Sequence, residues 1–308
     1  MSGRWLAKRF GRALVTLWLL MSFTFVALHL SADPALQILG PEAGPEAIAD
    51  FNRRWGLDRP YWEQYVRHLG RLAILDFGQS FRTSDPALDM VTARVPATLA
   101  LMLPTAVLAL ALGIPLGVLA AIRRNTLVDR AAMTAAVVGY AIPNFLVGIL
   151  LIYLFSVWLG WLQPSGIVDW RSWLMPVATM ASAEAAVFAR FARSATAEML
   201  GHPMMRTALA NGIPWPQAVR EHALPNAAIP VVTVAGLFLG SLIGGGVITE
   251  NVFAWPGLGR MLVDAVAARD YSVVQTIVLL IGVTMVVANL LVDLAYGWID
   301  PRIRDQRR

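Results

Sequence analysis

Long apolar runs are the feature that most constrains this chain. Six windows are long and apolar enough to cross about 30 Å of hydrocarbon as helices, which takes about 20 residues each. They lie near residues 13–30, 97–121, 132–158, 173–191, 227–249 and 273–295. Of the 308 residues, 57% are hydrophobic and only 15% are charged, which is outside the range of soluble domains. The sequence therefore predicts an all-α integral membrane protein with six transmembrane helices.

The basic residues predict which side of the membrane each loop faces. Short cytoplasmic loops are enriched in Lys and Arg. Basic residues are frequent within 4–12, 123–130, 190–220 and 302–308, whereas the two short loops of the opposite side hold only Arg171, Arg260 and Arg269. We therefore expect both termini in the cytoplasm, with the first window kept as an uncleaved span. The net charge of +5 is distributed over span ends rather than in one patch, so no nucleic-acid partner is expected.

Several kinds of chemistry are excluded by the residue types. There is no cysteine, and the one lysine, Lys8, has no glycine-rich phosphate loop before it. The histidines have no metal-ligand spacing, and no catalytic motif is present. We expect no catalytic, cofactor or metal site in this chain, so it is not an enzyme. No internal repeat is visible, which weakens a secondary transporter built from paired halves.

Residues 31–95, between the first two windows, are predicted to form short helices joined by turns. Pro45 opens one helix that ends at Gly56, and Pro60 opens the next. A third is expected to begin at Pro86, and Pro96 is expected to start the second span. Two interpretations stay open for this segment: a small helical cap on the outer face, or a docking surface for an external protein.

Two polar residues, Asn144 and Glu184, lie near the middle of the third and fourth windows. A carboxylate at that depth costs at least about 2.5 kcal/mol and faces protein or a water-filled cavity. Glu184 could pair with a donor on a neighbouring helix or subunit, line a substrate path, or couple transport to protons. Beside Asn144, Pro143 loosens the third span. Near the end of the fifth, Gly244, Gly245 and Gly246 permit close packing or a bend.

The stretch RTALANGIPWPQAVREHALPN, residues 206–226, is too polar and too broken to cross a membrane. Arg206 to Ala210 favour a short helix, which Asn211-Gly212 ends by adopting positive φ. Pro216 can begin a second helix in its first turn, and Pro225 is expected to stop it. The pattern predicts two short helices joined by a turn on the cytoplasmic side.

Several strings resemble the permease subunits of bacterial ABC importers for dipeptides, oligopeptides and nickel, specifically the first permease, often called the B subunit. The strongest are ITENVFAWPGLGRMLVDAVAARDYSVVQ at 248–275 and NLLVDLAYGWIDPRIR at 289–304. WGLDRPYWEQY, LDFGQSF, VPATLAL, GIPLGVLAA and GYAIPNF extend the resemblance over nearly the whole chain. It implies the type I ABC importer permease fold in the bacterial plasma (inner) membrane.

The resemblance also implies a role for residues 206–226. The family has a cytoplasmic loop of pattern E-A-A-x3-G-x9-I-x-L-P, whose short helix docks into a cleft of the partner ATPase. The positions expected to couple to the ATPase are Arg206, Thr207, Ala208, Gly212, Trp215, Ala218, Val219, His222, Leu224 and Pro225. Pro214 replaces the usual capping Ser or Thr, and Leu209 and Asn211 replace basic residues. Glu184 is also a departure, since that position is usually uncharged.

The resemblance further implies partners and a mechanism. The partners are a homologous C-type permease, two ATP-binding subunits that hold ATP and Mg, and an extracytoplasmic substrate-binding protein. Residues 1–30 would form the N-terminus and first span, 31–95 the outer segment, 96–298 the five-helix core with coupling loop 206–226, and 299–308 a basic tail. From the residues themselves, not from the resemblance, the path for a peptide substrate is expected to include Pro143, Asn144, Glu184, Gly244, Gly245 and Gly246. Alternatives are import of nickel or another small solute, and a proton-coupled secondary transporter.

Overall fold

A computed structural model describes residues 3–31 and 34–299. The predicted basic tail lies outside the described residues from position 300 onward. The described part is helical, with no strand and one isolated bridge between Gln79 and Pro86. Its α-helices are α1 Gly3–Ser31, α2 Pro34–Leu39, α3 Pro45–Trp55, α4 Tyr61–Ala73, α5 Ala87–Ile122, α6 Leu127–Ala141, α7 Asn144–Ile152, α8 Leu174–Gly201, α9 Pro203–Ala210, α10 Trp215–Ala218, α11 Leu224–Gly240, α12 Val247–Val252, α13 Leu258–Ala267 and α14 Tyr271–Ile299. π-helical turns continue α7 at Tyr153–Trp158 and α10 at Val219–Ala223, and a 3-10 helix precedes α8 at Trp170–Trp173.

Among the described residues, four helical stretches are long and apolar enough to cross a membrane. They are Ala7–Ser31, Ala87–Ile122, Trp215–Gly240 and Tyr271–Val292. The pair α6 and α7 makes a fifth if it counts as one span, although it is bent by 92°. Helix α8 has the length, 28 residues, but Glu184, Arg190 and many small residues lower its hydropathy. The all-helical membrane fold is therefore confirmed, while the count of six spans stays a prediction.

The chain divides into two compact units, and the first comprises residues 1–98 and 256–286. Within it, α3 ends at Gly56 with φ +68°, and α4 follows Pro60, as predicted. Helix α4 packs on α1, since the Tyr65 hydroxyl lies 2.6 Å from Ser22 Oγ. The predicted break at Pro96 is wrong, because α5 runs unbroken through it from Ala87 to Ile122. A helix tolerates an internal proline where local adjustments satisfy the one carbonyl that loses its donor.

The second unit comprises residues 99–255 and 287–308, and α8 lies at its centre. Phe188 of α8 packs edge to face on Phe238 of α11, with ring centroids 5.7 Å apart. Two glycines of α5 let α8 approach closely: a Cβ at Gly113 would lie 2.5 Å from the Ala185 carbonyl oxygen, and one at Gly117 2.8 Å from Ala192 Cβ. Such small residues are typical of tight contacts between membrane helices.

The predicted fifth span, 227–249, is not a continuous helix. Helix α11 ends at Gly240, turns occupy 241–246, and α12 starts at Val247. The glycine run therefore forms a turn, and it also packs closely, because a Cβ at Gly246 would lie 3.4 Å from Met102 Sδ. Both interpretations of the glycine run, close packing and a bend, therefore hold in part.

Candidate functional site

The predicted third span breaks sharply where α6 meets α7. Ile142 is extended, with φ −81° and ψ 123°, and Pro143 occupies the N-cap position of α7. Proline disfavours helical geometry in the residue before it and cannot donate a backbone hydrogen bond, so the helix ends and restarts at an angle of 92°. Irregular backbone at membrane depth is tolerated where it is buried in protein or lines a water-filled cavity.

A cavity of about 290 Å³ lies against this break and is called the bend pocket. Its lining residues are Tyr140, Ile142, Pro143, Asn144, Ala183, Glu184 and Val187. Three of the residues expected on the substrate path, Pro143, Asn144 and Glu184, therefore meet in one pocket. The other three, Gly244, Gly245 and Gly246, form the turn after α11 and are not among these lining residues.

Glu184 is the only acidic side chain of the bend pocket lining. It lies ten residues into α8, about 15 Å along the helix axis from the first residue of that helix. Its side chain is half-buried. Within residues 3–31 and 34–299, no hydrogen bond or ion pair reaches its carboxylate. A donor on a neighbouring helix of this chain, one of the predicted alternatives, is thus not found in the described part.

An ion pair that sequence reasoning missed joins the two helices that carry most of this pocket. Asp129, 4% exposed, accepts from Arg193 Nε at 3.1 Å and from a terminal guanidinium nitrogen at 2.9 Å. The backbone N–H of Asn125 also donates to it, at 3.0 Å. Asp129 belongs to α6 and Arg193 to α8. From sequence, Arg193 had only the role of a basic residue at a span end, because nothing local marks Asp129 as its partner.

The first half of the 203–226 segment folds as its glycine and proline residues predict. Helix α9 ends at Ala210, and Gly212 adopts φ +82°. No heavy atom lies within 4 Å of a Cβ built at Gly212, so the positive φ alone requires glycine there. The helix begins earlier than the predicted Arg206, at Pro203, because the His202 side chain caps it by accepting from the Met204 N–H at 3.3 Å.

The second half corrects one prediction. Helix α10 starts at Trp215 with Pro216 in its first turn and no side-chain cap from Pro214, as expected. It does not stop at Pro225, since the chain is helical from Trp215 to Gly240. The preceding residues, 219–223, form a π-helical turn. That wider turn leaves room for the ring of Pro225, which would otherwise clash with the carbonyl four residues before it.

A small apolar core holds the 203–226 segment together. Its buried members are Met205, Ala208, Ala218, Val219 and Ala223, packed against Ile122, Met199, Leu200, Ile213 and Leu224. Ala208, Ala218 and Val219 are therefore buried against this chain itself, and their predicted part in coupling to the ATPase stays a prediction. Small side chains face inward here because they let the two arms of the segment, residues 203–210 and 215–226, approach each other.

The outer surface of the 203–226 segment consists of other predicted residues. Leu209 is 42% and Trp215 44% exposed, and Arg206, Thr207, Gly212 and Pro225 are exposed as well. Arg220 forms an exposed ion pair with Glu221 at 3.2 Å. His222 is half-buried, and its Nε2 atom has no hydrogen-bond partner among the described residues. The accessible face is thus a mixture of basic and large apolar side chains.

Comparisons with known proteins identify the family of this helical membrane chain. Residues 113–305 match the family model described as binding-protein-dependent transport system inner membrane component, and residues 2–102 match the model of the N-terminal region of such membrane components. The chain belongs to this family. The glutathione transport system permease proteins GsiC of Escherichia coli (strain K12) and of Shigella dysenteriae serotype 1 (strain Sd197) are each 41% identical over 298 residues, covering 96% of this chain and 97% of the relative.

A solved structure has a fold similar to that of this chain. The structure titled inward facing conformations of the MetNI methionine ABC transporter, in its CY5 native crystal form, superposes with a TM-score of 0.59 and 20% identity. The match covers 71% of the permease and 100% of that chain. The permease therefore has the type I ABC importer permease fold, which confirms the predicted fold class.

Family membership settles the class of activity. The chain is a permease subunit of an ABC importer and an inner-membrane component, and it is not itself an enzyme. Such permeases work with ATPase subunits, a second permease and a substrate-binding protein. The bend pocket and the 203–226 segment both lie in the second compact unit, within the range of the matched transport domain.

Proposed function

We propose that this permease imports peptides, most simply di- or oligopeptides, by ATP-driven alternating access. Support comes from the relatives named as glutathione transport system permeases, since glutathione is itself a small peptide. The working complex contains a C-type second permease, two ATP-binding subunits and an extracytoplasmic binding protein. The permease crosses the membrane six times with both termini in the cytoplasm, in line with its basic residues. Nickel or another small solute is the alternative cargo.

The bend pocket is proposed as part of the translocation path. The observation that carries this proposal is the meeting of a broken helix and a half-buried carboxylate in one cavity. Membrane proteins place ionisable groups and irregular backbone at mid-depth where a polar substrate passes, because lipid cannot solvate either. Discontinuous helices at substrate sites follow the same physical rule.

The 203–226 segment is proposed to couple the ATPase to this path. Its two arms share one apolar core, which includes Ile122 from the end of α5 and Met199 and Leu200 from the end of α8. The second arm continues without a break into α11. A displacement at Trp215 is therefore carried along about 37 Å of helix. Because the predicted stop at Pro225 is absent, no hinge at that position absorbs the movement.

The contact with the ATPase is assigned to the exposed residues Arg206, Leu209 and Trp215. An exposed Trp and Leu beside an Arg form the kind of surface that protein interfaces favour, since aromatic residues and Arg are enriched at their centres. With Leu209 and Asn211 in place of basic residues, this contact depends less on charge than in relatives that keep those residues. This contact is assigned to exposed side chains, which a partner can reach, and not to Ala208 and Ala218, which face the core of the segment.

Transport by purified components tests the proposal. The permease is reconstituted in vesicles with the second permease, the ATPases and the binding protein, and uptake of a labelled peptide is measured. Uptake is expected to require ATP and to continue when a protonophore collapses the proton gradient. Uptake that proceeds without ATP and stops with the protonophore would instead favour a secondary transporter that uses Glu184. Competition by nickel rather than peptide would favour the alternative cargo.

A further inference from the structure

We propose that Glu184 binds the positively charged amino group of the substrate, so that the permease itself selects cargo with a free ammonium group. This inference rests on the proposed import of peptides and names the chemical group that the bend pocket recognises. It assigns selectivity to the permease in addition to any selectivity of the binding protein.

The first support is that the Glu184 carboxylate is half-buried and has no partner among the described residues. Glu184 lines the bend pocket and is half-buried, and the described part of the chain offers it no hydrogen bond or ion pair. A half-buried anion is costly unless it is paired. A cation that arrives with the substrate removes that cost for as long as it stays, which is the behaviour expected of a transient binding group.

The second support is the position of the nearby cations. Arg193, nine residues after Glu184 on α8, is held by Asp129 through two hydrogen bonds. Arg190 lies with its guanidinium carbon 5.8 Å from the centre of the Tyr140 ring and is exposed. Neither arginine pairs with Glu184. The N-terminal end of α7 at Asn144 contributes only partial positive charge to the pocket, which lowers the cost of the carboxylate without neutralising it.

The third support is the size and polarity of the cavity. Its volume of about 290 Å³ is at the lower limit of sites for small ligands, so it suits one end of a peptide. Asn144 and Tyr140 carry the other polar side chains of the lining, and Ile142, Ala183 and Val187 are apolar. An ammonium group can donate to the carboxylate through a charge-assisted hydrogen bond while the rest of the substrate lies outside the pocket.

Uptake of paired probes tests the inference in the reconstituted complex. The probes are glutathione, with its free amino group, and N-acetylglutathione, in which that group is neutral. Each is supplied with saturating binding protein, and uptake by Glu184→Gln is divided by uptake by the unmodified permease for the same probe. This ratio cancels any preference of the binding protein. We expect a fall of about tenfold for glutathione and no change for the acetylated form, since a charge-assisted hydrogen bond is worth about one tenfold step or more.

Two further variants keep the test decisive. Glu198→Gln makes the same chemical change at an exposed site of α8 and is expected to leave both ratios near one. Glu184→Asp keeps the charge and is expected to keep the difference between the probes at a reduced rate. The amount of ATPase that co-purifies with each variant reports assembly.

The outcomes separate this inference from the proposed function. Equal losses for the two probes, or no loss for either, would overturn the assignment of Glu184 while peptide import stands. Failure of Glu184→Gln to assemble, with normal assembly of Glu184→Asp, would show that the carboxylate pairs with another subunit and would also overturn it. If the unmodified permease imports neither probe but imports nickel, the proposed peptide function itself fails.

Discussion

The 203–226 segment and the bend pocket differ in polarity and in the sequence distance between the residues that build them. The buried core of the segment is apolar, and its turn rests on one glycine with positive φ. The pocket instead combines residues some forty positions apart in sequence and contains a carboxylate, and an ion pair joins α6 and α8, two of the helices that line it. Under the proposed roles, the part that transmits movement is closed and built mainly from residues close in sequence. The part that receives the substrate keeps a carboxylate with no partner among the described residues and is built from residues distant in sequence.

The largest effect is expected at the ion pair that joins the walls of the pocket. Arg193→Ala leaves the Asp129 carboxylate without its cation and with the Asn125 N–H as its remaining donor. The expected cost is about 2–3 kcal/mol of folding free energy, because the pair is partly reached by water. We expect a lower melting temperature in detergent and little assembled complex. The measurement is thermal unfolding followed by size-exclusion chromatography.

Arg190→Ala is the matched control for that variant. Arg190 is on the same helix and exposed, and its contact with Tyr140 is worth only about 0.5–1 kcal/mol. Equal melting temperatures for the two variants would mean that the ion pair does not hold the pocket, and the claimed dependence on distant contacts would lose its main support.

A smaller effect is expected from overfilling the core of the 203–226 segment. Ala218 is fully buried, so Ala218→Leu forces the two arms apart at a cost of about 1–3 kcal/mol. We expect faster proteolysis within 203–226, while the melting of the membrane helices changes less. Ala210→Leu adds the same atoms at an exposed position and should be neutral. Identical proteolysis of the two variants would show that this core is not closed.

The smallest effect on stability is expected at the exposed surface of the 203–226 segment. A substitution there should instead weaken binding of the ATPase. Trp215→Ala should leave stability unchanged and reduce ATPase binding by about fivefold or more, because Trp is enriched among interface residues whose truncation costs over ~1 kcal/mol. Trp161→Ala, at another exposed site, is the control. Binding is measured with purified ATPase subunits on the immobilised permease. Unchanged binding would move the docking surface elsewhere.

The sequence could predict features that depend on neighbouring residues. The helix end at Gly56, the turn at Gly212 and the helix start at Trp215 follow from Gly and Pro. The predicted breaks at Pro96 and Pro225 were wrong, because tertiary packing can keep a helix continuous through a proline when a wider turn or a neighbouring group satisfies the backbone.

Features that depend on distant contacts could not be predicted in the same way. The pairing of Asp129 with Arg193 requires the crossing of α6 and α8 to be known. The inward direction of Ala208 and Ala218 depends in part on Ile122 at the end of α5, which lies far away in sequence. Glu184 was identifiable as costly from its depth alone, but its meeting with Asn144 depends on the 92° bend.

The central claim is that the 203–226 segment carries the action of the ATPase to the pocket. Gly212 tests it because a β-branched residue at φ +82° is strained by about one to a few kcal/mol, while Asn tolerates positive φ and open space surrounds the position. Gly139→Ala is the control in a predicted span, since a Cβ added there would make an ordinary contact with Ala186 Cβ at 3.6 Å.

The decisive measurement is peptide uptake per ATP hydrolysed in reconstituted vesicles for Gly212→Val, Gly212→Asn and Gly139→Ala. The account predicts that Gly212→Val inserts and remains stable but loses most substrate-stimulated hydrolysis and uptake, while the other two variants keep both. Normal stimulation and normal uptake in Gly212→Val would contradict the account and reduce the segment to a connector between membrane helices.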